Sequence, residues 1–453
     1  MALDSIPQFN HIAAEAQLRL IIKCHWLTNY MKWHISPRSF VSPRKKFMRA
    51  IPIPDGEDPR EAQIPYRAAL TLLLLASTLA VMAGSAIAPV VELMRGDLGI
   101  DATAAGLILT MHGLVIAIVS PLAGWMIDRW GARGPLAGGL LLYGLAGSAG
   151  IVTSSYSALI VSRAIFGIGA AFVFAGTTVA MLSLYRGAIR DRVMGWRTTA
   201  TSLGGVLFPV IGGGLATAFS WHATFGLYAV GLPLGLAALA VIPRSGNEPS
   251  PDRNRGSVLT LLLRPALIAV YFLVVTQAVM LYALAVFLPL RLSELGLTAP
   301  VLVSLYMALM AATSSLVGIV FGWLGKRFSY LALLRLTALT WVLAFLALGT
   351  SGDFIVLAFA SATLGVGNAL AFSTTSVLID DYVPESLLGR AMAVFSTCMF
   401  LGQFVSPLLL GPLMEATSIT TGYLVLSGSA AIILAALLVL RSETGTPPST
   451  DEG

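Results

Sequence analysis

The sequence reads Gly124-Trp-Met-Ile-Asp128-Arg129-Trp-Gly131-Ala-Arg133 in its first half and Gly322-Trp-Leu-Gly-Lys326-Arg327-Phe-Ser329 in its second, 198 residues later. The same offset joins glycines, prolines and charged residues on the C-terminal side of this segment. Further pairs are Gly167 and Gly365, Arg192 and Arg390, Gly204 and Gly402, Pro209 and Pro407, and Gly213 and Gly411. One match would be chance in a glycine-rich chain, but one offset held across three regions indicates two similar halves.

The composition places both halves in a bilayer. Of 453 residues, 57% are hydrophobic and 11% are charged, against roughly 25% charged in a typical soluble domain. A membrane-spanning helix needs about 20 apolar residues. Such runs lie at about 68–91, 104–126, 134–153, 157–183, 194–217, 222–242, 265–290, 300–324, 330–350, 354–378, 390–414 and 421–440. The sequence therefore predicts an all-α integral membrane protein with twelve transmembrane helices in two six-helix halves.

The distribution of charge predicts the orientation and the domains. Outer loops hold only Arg95 and Arg291, while the remaining loops are rich in Arg and Lys. Because cytoplasmic loops carry an excess of these residues, both termini are expected in the cytoplasm, with the chain in the cytoplasmic membrane. The predicted parts are a disordered cytosolic extension 1–66, a bundle 67–242, a polar linker 243–263, a second bundle 264–441 and a disordered tail 442–453. The extension could also be a lipid-touching regulatory tail, or result from a start codon upstream of Met48.

The even number of spans in each half predicts the mechanism. Both halves insert in the same sense, and such parallel repeats enclose a cavity near the bilayer midplane that rocking exposes to each side in turn. This architecture predicts a secondary transporter, and the chain lacks the phosphate-binding motif of ATP-driven pumps. We expect no enzymatic activity, cofactor or metal, a proton gradient as the energy source, and a functional monomer. Its partners would be a small-molecule substrate and the bilayer, and not nucleic acid, because loop topology explains the basic charge.

The segment 124–133 resembles the signature loop G-x-x-x-D-R-x-G-x-R of the major facilitator superfamily. Gly124 permits close helix packing, Gly131 permits a turn with positive φ, and Asp128 can accept from basic side chains or face a helix N-terminus. The resemblance implies that this loop closes the cytoplasmic side in the outward-facing state. Its predicted members are Gly124, Asp128, Arg129, Gly131 and Arg133, with Arg190 and Arg192 as partners. Alternatively, the loop only anchors the orientation.

Arg163 and His112 are the candidate coupling or substrate residues. An Arg at mid-span costs about 2.5–3.5 kcal/mol on insertion scales, so it usually faces the bundle interior and has a function. The segment around Arg163 resembles the superfamily's fourth-helix motif l-x-x-x-R-x-x-q-G-x-g-a-a, with Phe166 at the polar position, and this implies proton coupling or contact with substrate charge. Alternatively, Arg163 binds backbone carbonyls near the outer interface. The ordinary pKa of His112, near 6.5, suits a proton relay, and the alternative is a hydrogen-bonded packing residue.

The fifth span resembles the antiporter motif g-x8-G-x3-G-P-x2-G-G of the same superfamily. The matching residues are Gly195, Gly204, Pro209, Gly212 and Gly213, with Phe208 where the motif has a glycine. A glycine face with a proline kink lets helices approach and bend. The resemblance implies export, and the alternative is generic small-residue packing.

Polar and aromatic residues of the second half are candidates to line the cavity. They are Tyr271, Gln277, Tyr282, Tyr306, Asn368 and Gln403. Together they describe a mildly polar, largely apolar pocket, which should suit an amphipathic or uncharged organic molecule. No Asp or Glu lies deep within a predicted span, so a carboxylate-driven proton relay has little support. The main prediction is proton-coupled export of drugs or metabolites. The alternatives are import of an organic anion clamped by Arg163, and a receptor that transports nothing.

Overall fold

A computed structural model describes residues 66–243 and 264–439, and within these ranges twelve helices are long and apolar enough to cross a membrane. The helices of spans 1 to 12 are Arg67–Ser85 continued by Val91–Leu98, Ala102–Trp130, Arg133–Gly147, Tyr156–Leu184, Gly187–Ala218, Trp221–Phe225 continued by Gly231–Val241, Pro265–Glu294, Pro300–Arg327, Tyr330–Thr350, Phe354–Tyr382, Glu385–Ala416 and Ile419–Val439. The prediction of twelve spans is confirmed. Of the predicted extension 1–66 only Tyr66 is among the described residues, and of the predicted linker 243–263 only Pro243. The predicted tail 442–453 lies outside them.

Several helix ends follow directly from local sequence. Asp101 accepts from the Ala104 amide at 2.6 Å, which confirms it as the N-cap of span 2. Asp353 caps span 10 in the same way, through the Ile355 and Val356 amides. Span 1 is interrupted after Ser85 by a short 3₁₀ turn, Ala88–Val90, because Pro89 has no N–H to continue the α-helical ladder.

The repeat seen in the sequence runs through the fold almost without insertion or deletion. Shifting spans 4, 5 and 6 by 198 residues reproduces the bounds of spans 10, 11 and 12 residue for residue. Span 2 shifted in this way begins at Pro300, the first residue of span 8. Most positions of one half therefore have a defined equivalent in the other, and side chains at those positions can be compared directly.

Two helix pairs join the halves. Span 2 packs along span 11, and span 5 packs along span 8, while spans 3, 4, 6, 9, 10 and 12 pack mainly within their own half. We call the end of the bundle where span 2 begins and span 11 ends the closed end, and the opposite end, where span 2 finishes at Trp130, the open end. Both joining pairs follow one gradient of packing between these ends.

The surroundings of the glycines on spans 2, 5, 8 and 11 show this change in packing from one end to the other. Near the closed end, a Cβ added to Gly213 of span 5 would lie 2.6 Å from the Pro300 carbonyl oxygen of span 8, and Gly411 of span 11 is equally tight against Thr103 of span 2. Near the open end, no described atom beyond the glycine's chain neighbours and its own helix backbone lies within 4 Å of an added Cβ. The glycines there are Gly124, Gly195, Gly318, Gly322, Gly325 and Gly389. Glycines of the joining helices are therefore packed against the other half at the closed end, and those at the open end have no such neighbour.

Candidate functional site

A small polar layer lies where the halves meet at mid-span. A Cβ added to Gly84 of span 1 would contact the Tyr282 hydroxyl of span 7 at 3.1 Å and His112 Cε1 of span 2 at 3.6 Å. In the adjoining pair of helices, Gln403 Oε1 of span 11 would lie 3.1 Å from a Cβ on Gly113. Phe174 and Phe400 meet edge to face beside this layer, with ring centroids 5.8 Å apart. Four spans from both halves thus surround one small region.

Two polar atoms of this layer are buried without a partner. His112 is 2% exposed and Gln403 is 7% exposed. Neither His112 Nδ1 nor Gln403 Oε1 has a hydrogen-bond partner among the described residues. An unpaired buried polar atom costs about 1–3 kcal/mol, so a ligand that supplies the missing hydrogen bonds gains affinity. An apolar wall with a few convergent polar groups is the usual character of a small-molecule site.

The other cavity candidates are paired elsewhere. Gln277 donates to Asn368 Oδ1 at 3.0 Å, which joins spans 7 and 10 inside the second half. The Tyr271 hydroxyl donates to the Ala391 carbonyl at 3.2 Å, and that of Tyr306 donates to Phe354 near the closed end. Of the six candidates, the structure brings only Tyr282 and Gln403 to the central layer, together with His112.

Arg163 points into the first half rather than toward its partner. The side chain is completely buried, and its Nη2 donates to the Gly147 carbonyl of span 3 at 2.6 Å. Its guanidinium lies 4.5–4.9 Å from the ring centroids of Phe166, Phe225 and Tyr228, a cation–π geometry. This is the backbone-bonded arrangement named above as the alternative. Phe166, the departure from the family motif, is one wall of the aromatic cage.

The cage is linked to the central layer by rings and hydroxyls. Phe166 meets the His112 ring edge to face, with centroids 5.8 Å apart. The Tyr143 hydroxyl donates to the Leu79 carbonyl at 2.6 Å, and that of Tyr228 donates to Ala83 at 3.0 Å. Both carbonyls belong to the last turns of span 1 before its break. A substitution of Arg163 would therefore affect His112 through Phe166 and span 1 through Tyr228, although Arg163 contacts neither directly.

The segment 124–133 contains the last residues of span 2 and the turn that follows them, at the open end of the bundle. Gly131 has φ +77°, so the predicted positive φ is confirmed. Arg129 lies over Trp125, and the equivalent Arg327 lies over Trp323, at 5.9 and 5.2 Å. Arg133 donates to the Leu239 carbonyl of span 6. Asp128, Arg190 and Arg192 are exposed. No described atom outside its own helix lies within 4 Å of a Cβ added to Gly124, so this conformation does not use the close packing that the residue permits.

The fifth-span motif seals the opposite end. Gly212 lies against the Ala86 carbonyl at the break of span 1, and Gly213 lies against Pro300 of span 8. Gly204 meets the ring of Phe208 on its own helix, Pro209 lies inside the helix, and Gly195 faces open space. The glycines of this motif therefore have different neighbours along the helix. The pair at the closed end, Gly212 and Gly213, lets spans 1, 5 and 8 approach closely.

The family follows from the sequence comparison. The chain matches the profile of the Major Facilitator Superfamily over residues 73–335 and 299–453. It belongs to that superfamily. Membership makes it a multi-pass membrane protein of a transporter family, and not an enzyme.

Relatives within the Major Facilitator Superfamily are distant. Multidrug resistance protein 1 of Bacillus subtilis (strain 168) is 28% identical over 185 residues, which cover 41% of this chain and 47% of that protein. Multidrug resistance protein B homolog of Mycobacterium tuberculosis (strain H37Rv) is 30% identical over 235 residues, 49% of this chain and 42% of that protein. The chain thus spans less than half the length of either relative.

Solved structures of superfamily members share the fold. A bacterial homologue of the human lysosomal transporter Spinster, in an inward-facing and unoccupied conformation, matches with a TM-score of 0.68 and 15% identity over 83% of this chain and 96% of that one. The nucleoside transporter NupG matches with a TM-score of 0.69 and 14% identity over 82% and 99%. These matches confirm the all-α twelve-span fold.

Sequence reasoning missed the residues that surround Arg163. Tyr143 and Tyr228 are fully buried, and each is a lone hydroxyl-bearing ring in an apolar span. A buried guanidinium needs carbonyl and aromatic neighbours, so these tyrosines could have been proposed as its partners. At the closed end, Asp97 accepts from the Trp221 indole at 2.9 Å, and Glu92 forms a bidentate pair with Arg95 at 2.7 Å. The three-residue spacing of Glu92 and Arg95 on one helix could have indicated their pairing, whereas nothing local in the sequence indicates the contact of Asp97 with Trp221.

Proposed function

We propose that the chain is a secondary active transporter that works by alternating access, and that this structure is its inward-facing conformation. The observation that carries the proposal is the packing gradient of spans 2, 5, 8 and 11, tight at one end and open at the other. The orientation rests on the basic loops, since Arg129, Arg133 and Arg190 lie at the open end and cytoplasmic loops are enriched in such residues. The open end is then cytoplasmic, with both termini on that side.

The proposed substrate is an uncharged or amphipathic organic molecule. The central layer offers an imidazole, a phenol and an amide beside Phe174 and Phe400, and Arg163 is enclosed by rings of its own half. A highly charged anion would lack a cation in that layer. The names of the relatives and the fifth-span motif support export, and a proton gradient is the proposed energy source. An organic-anion importer has less support, because its clamp, Arg163, points away from the other half.

Uptake into inverted vesicles tests direction and coupling together. An exporter loads an amphipathic fluorescent dye from the former cytoplasmic face when the vesicle interior is acidic, and a protonophore abolishes this uptake. Gln403→Leu should raise the KM for the dye several-fold, because it removes the unpaired amide oxygen of the central layer. Tyr306→Phe is the matched control, since its hydroxyl binds Phe354 away from that layer. Dye movement independent of the gradient would contradict proton coupling, and absence of counterflow would contradict transport.

A further inference from the structure

Two hydrogen-bonded contacts cross between the halves at the closed end. Glu415, in the last turn of span 11, accepts from both the amide and the hydroxyl of Thr103 at 3.0 Å each. Thr217, in the last turn of span 5, accepts from the Val301 amide at 3.2 Å. Val301 is the 198-residue equivalent of Thr103, and Glu415 is the equivalent of Thr217. The two contacts are therefore the same contact, made once in each direction.

Each contact satisfies a backbone group that its own helix leaves unpaired. The first amides of an α-helix have no partner within the helix. In span 2, Asp101 bonds the Ala104 amide, which leaves the Thr103 amide to Glu415. In span 8, the N-cap residue Ala299 has no side chain able to cap, and Thr217 supplies the acceptor. Each half thus caps a helix of the other half.

Small residues bring the capping side chains within reach. Gly411, one turn before Glu415, lies against Thr103, and Gly213, one turn before Thr217, lies against Pro300. The Thr217 hydroxyl also donates to the Gly213 carbonyl at 2.8 Å, which orients its lone pairs toward Val301. Glu415 joins the end of span 11 in the second half to the start of span 2 in the first. Thr217 joins the end of span 5 in the first half to the start of span 8 in the second. Tilting the halves apart at this end would therefore break both contacts together.

We propose that Glu415 and Thr217 are paired positioning residues that hold the closed end shut and release it once in each transport cycle. The inference rests on the proposed alternating access. The two contacts differ in strength: Glu415 is a carboxylate with two donors at a helix N-terminus, where negative charge is favoured, while Thr217 is a neutral acceptor with one donor. Glu415 therefore carries the larger share of the bias toward this conformation.

Distances between spin labels test this directly. Val152→Cys and Thr350→Cys occupy equivalent, exposed positions at the closed end, in a background with Cys24→Ser and Cys398→Ser. Glu415→Ala should raise the population with a longer closed-end distance about tenfold, since it removes charge-assisted hydrogen bonds. Thr217→Val should raise it about threefold, because it removes one neutral bond. Glu415→Gln keeps an acceptor oxygen and should fall between wild type and Glu415→Ala.

Glu294→Gln is the matched control. Glu294 is a closed-end carboxylate that pairs with Arg291 within its own half, so its variant should keep the wild-type distribution. An equal shift in Glu415→Ala and Glu294→Gln would overturn the proposal, because the effect would then be one of charge alone. If substrate moves the wild-type distances while both cap variants match wild type, the alternating mechanism stands and the paired caps are rejected. Thermal unfolding of each variant separates a conformational shift from loss of the fold.

Discussion

Spans 4 and 10 occupy equivalent places in the two halves and fill them with different chemistry. Arg163 of span 4 reaches the Gly147 carbonyl through a cage of three rings. Its equivalent, Ser361, is also fully buried, but its hydroxyl only donates to Leu357 of its own helix at 3.0 Å. Where the first half has Gly147, the second half has the buried ring of Phe345, stacked on Tyr423.

This difference shows what a duplicated scaffold keeps and what it changes. The two halves share helix bounds and the closed-end glycines. The buried cation Arg163 of the first half, however, corresponds to the hydroxyl-bearing Ser361 of the second, and Gly147 corresponds to the apolar Phe345. The guanidinium of Arg163 packs between spans 3, 4 and 6, whereas the ring of Phe345 packs at the equivalent place in the second half. The first half therefore holds a buried charge next to the central layer, and the second half provides a matched background without one.

The largest expected effect separates Arg163 from Ser361. Arg163→Ala should lower the free energy of unfolding by about 3–5 kcal/mol, because it leaves a cavity inside three rings and removes the hydrogen bond to the Gly147 carbonyl. Ser361→Ala should cost less than about 1 kcal/mol, since only an intrahelical bond is lost. Denaturant unfolding in detergent measures both. Equal costs would contradict a packing role for the guanidinium, and Arg163→Lys, which cannot stack as a plane, should resemble Arg163→Ala.

A smaller difference is expected between Gly402 and its equivalent Gly204. A Cβ on Gly402 would lie 2.6 Å from the Val275 carbonyl oxygen, which is backbone and cannot move aside. On Gly204, the nearest atom is the ring of Phe208 at 3.0 Å, which can rotate. Gly402→Ala should therefore destabilise by about 1–3 kcal/mol and Gly204→Ala by clearly less. A reversed order of melting temperatures would show that the two halves pack differently from the described structure.

The smallest effect concerns the loops at the open end. Asp128 and Lys326 are equivalent positions of opposite charge. If only the first-half loop closes the cytoplasmic side, Asp128→Asn should slow transport about tenfold, which corresponds to about 1.4 kcal/mol in the rate-limiting step, with normal expression. Lys326→Gln should leave the rate near wild type. Dye transport in vesicles measures both, and a wild-type rate in Asp128→Asn would remove the gating role.

The twelve spans could be predicted because each is an apolar run long enough to cross a bilayer as a helix, and because the 198-residue offset places corresponding runs in both halves. The positive φ of Gly131 and the Asp101 cap could also be predicted, since both depend on local backbone chemistry. The direction of Arg163 could not, because helical periodicity gives a face but not the neighbour that covers it. The Glu415–Thr103 contact spans 312 residues, so no local signal predicts it.

The connections inside each half have a mechanical consequence. Only two residues separate span 2 from span 3, span 4 from span 5, and span 5 from span 6, at 131–132, 185–186 and 219–220, and the second half has equally short links at the equivalent places. Linkers this short limit lengthwise sliding of neighbouring helices, so under the proposed alternating access each half would turn as one stiff lever. A lever of 29 residues, the length of span 2, is about 43 Å long, and turning it by about 10° at one end moves the other by roughly 7 Å. That displacement is wide enough to admit a small organic molecule, so the proposed mechanism needs only a modest rotation.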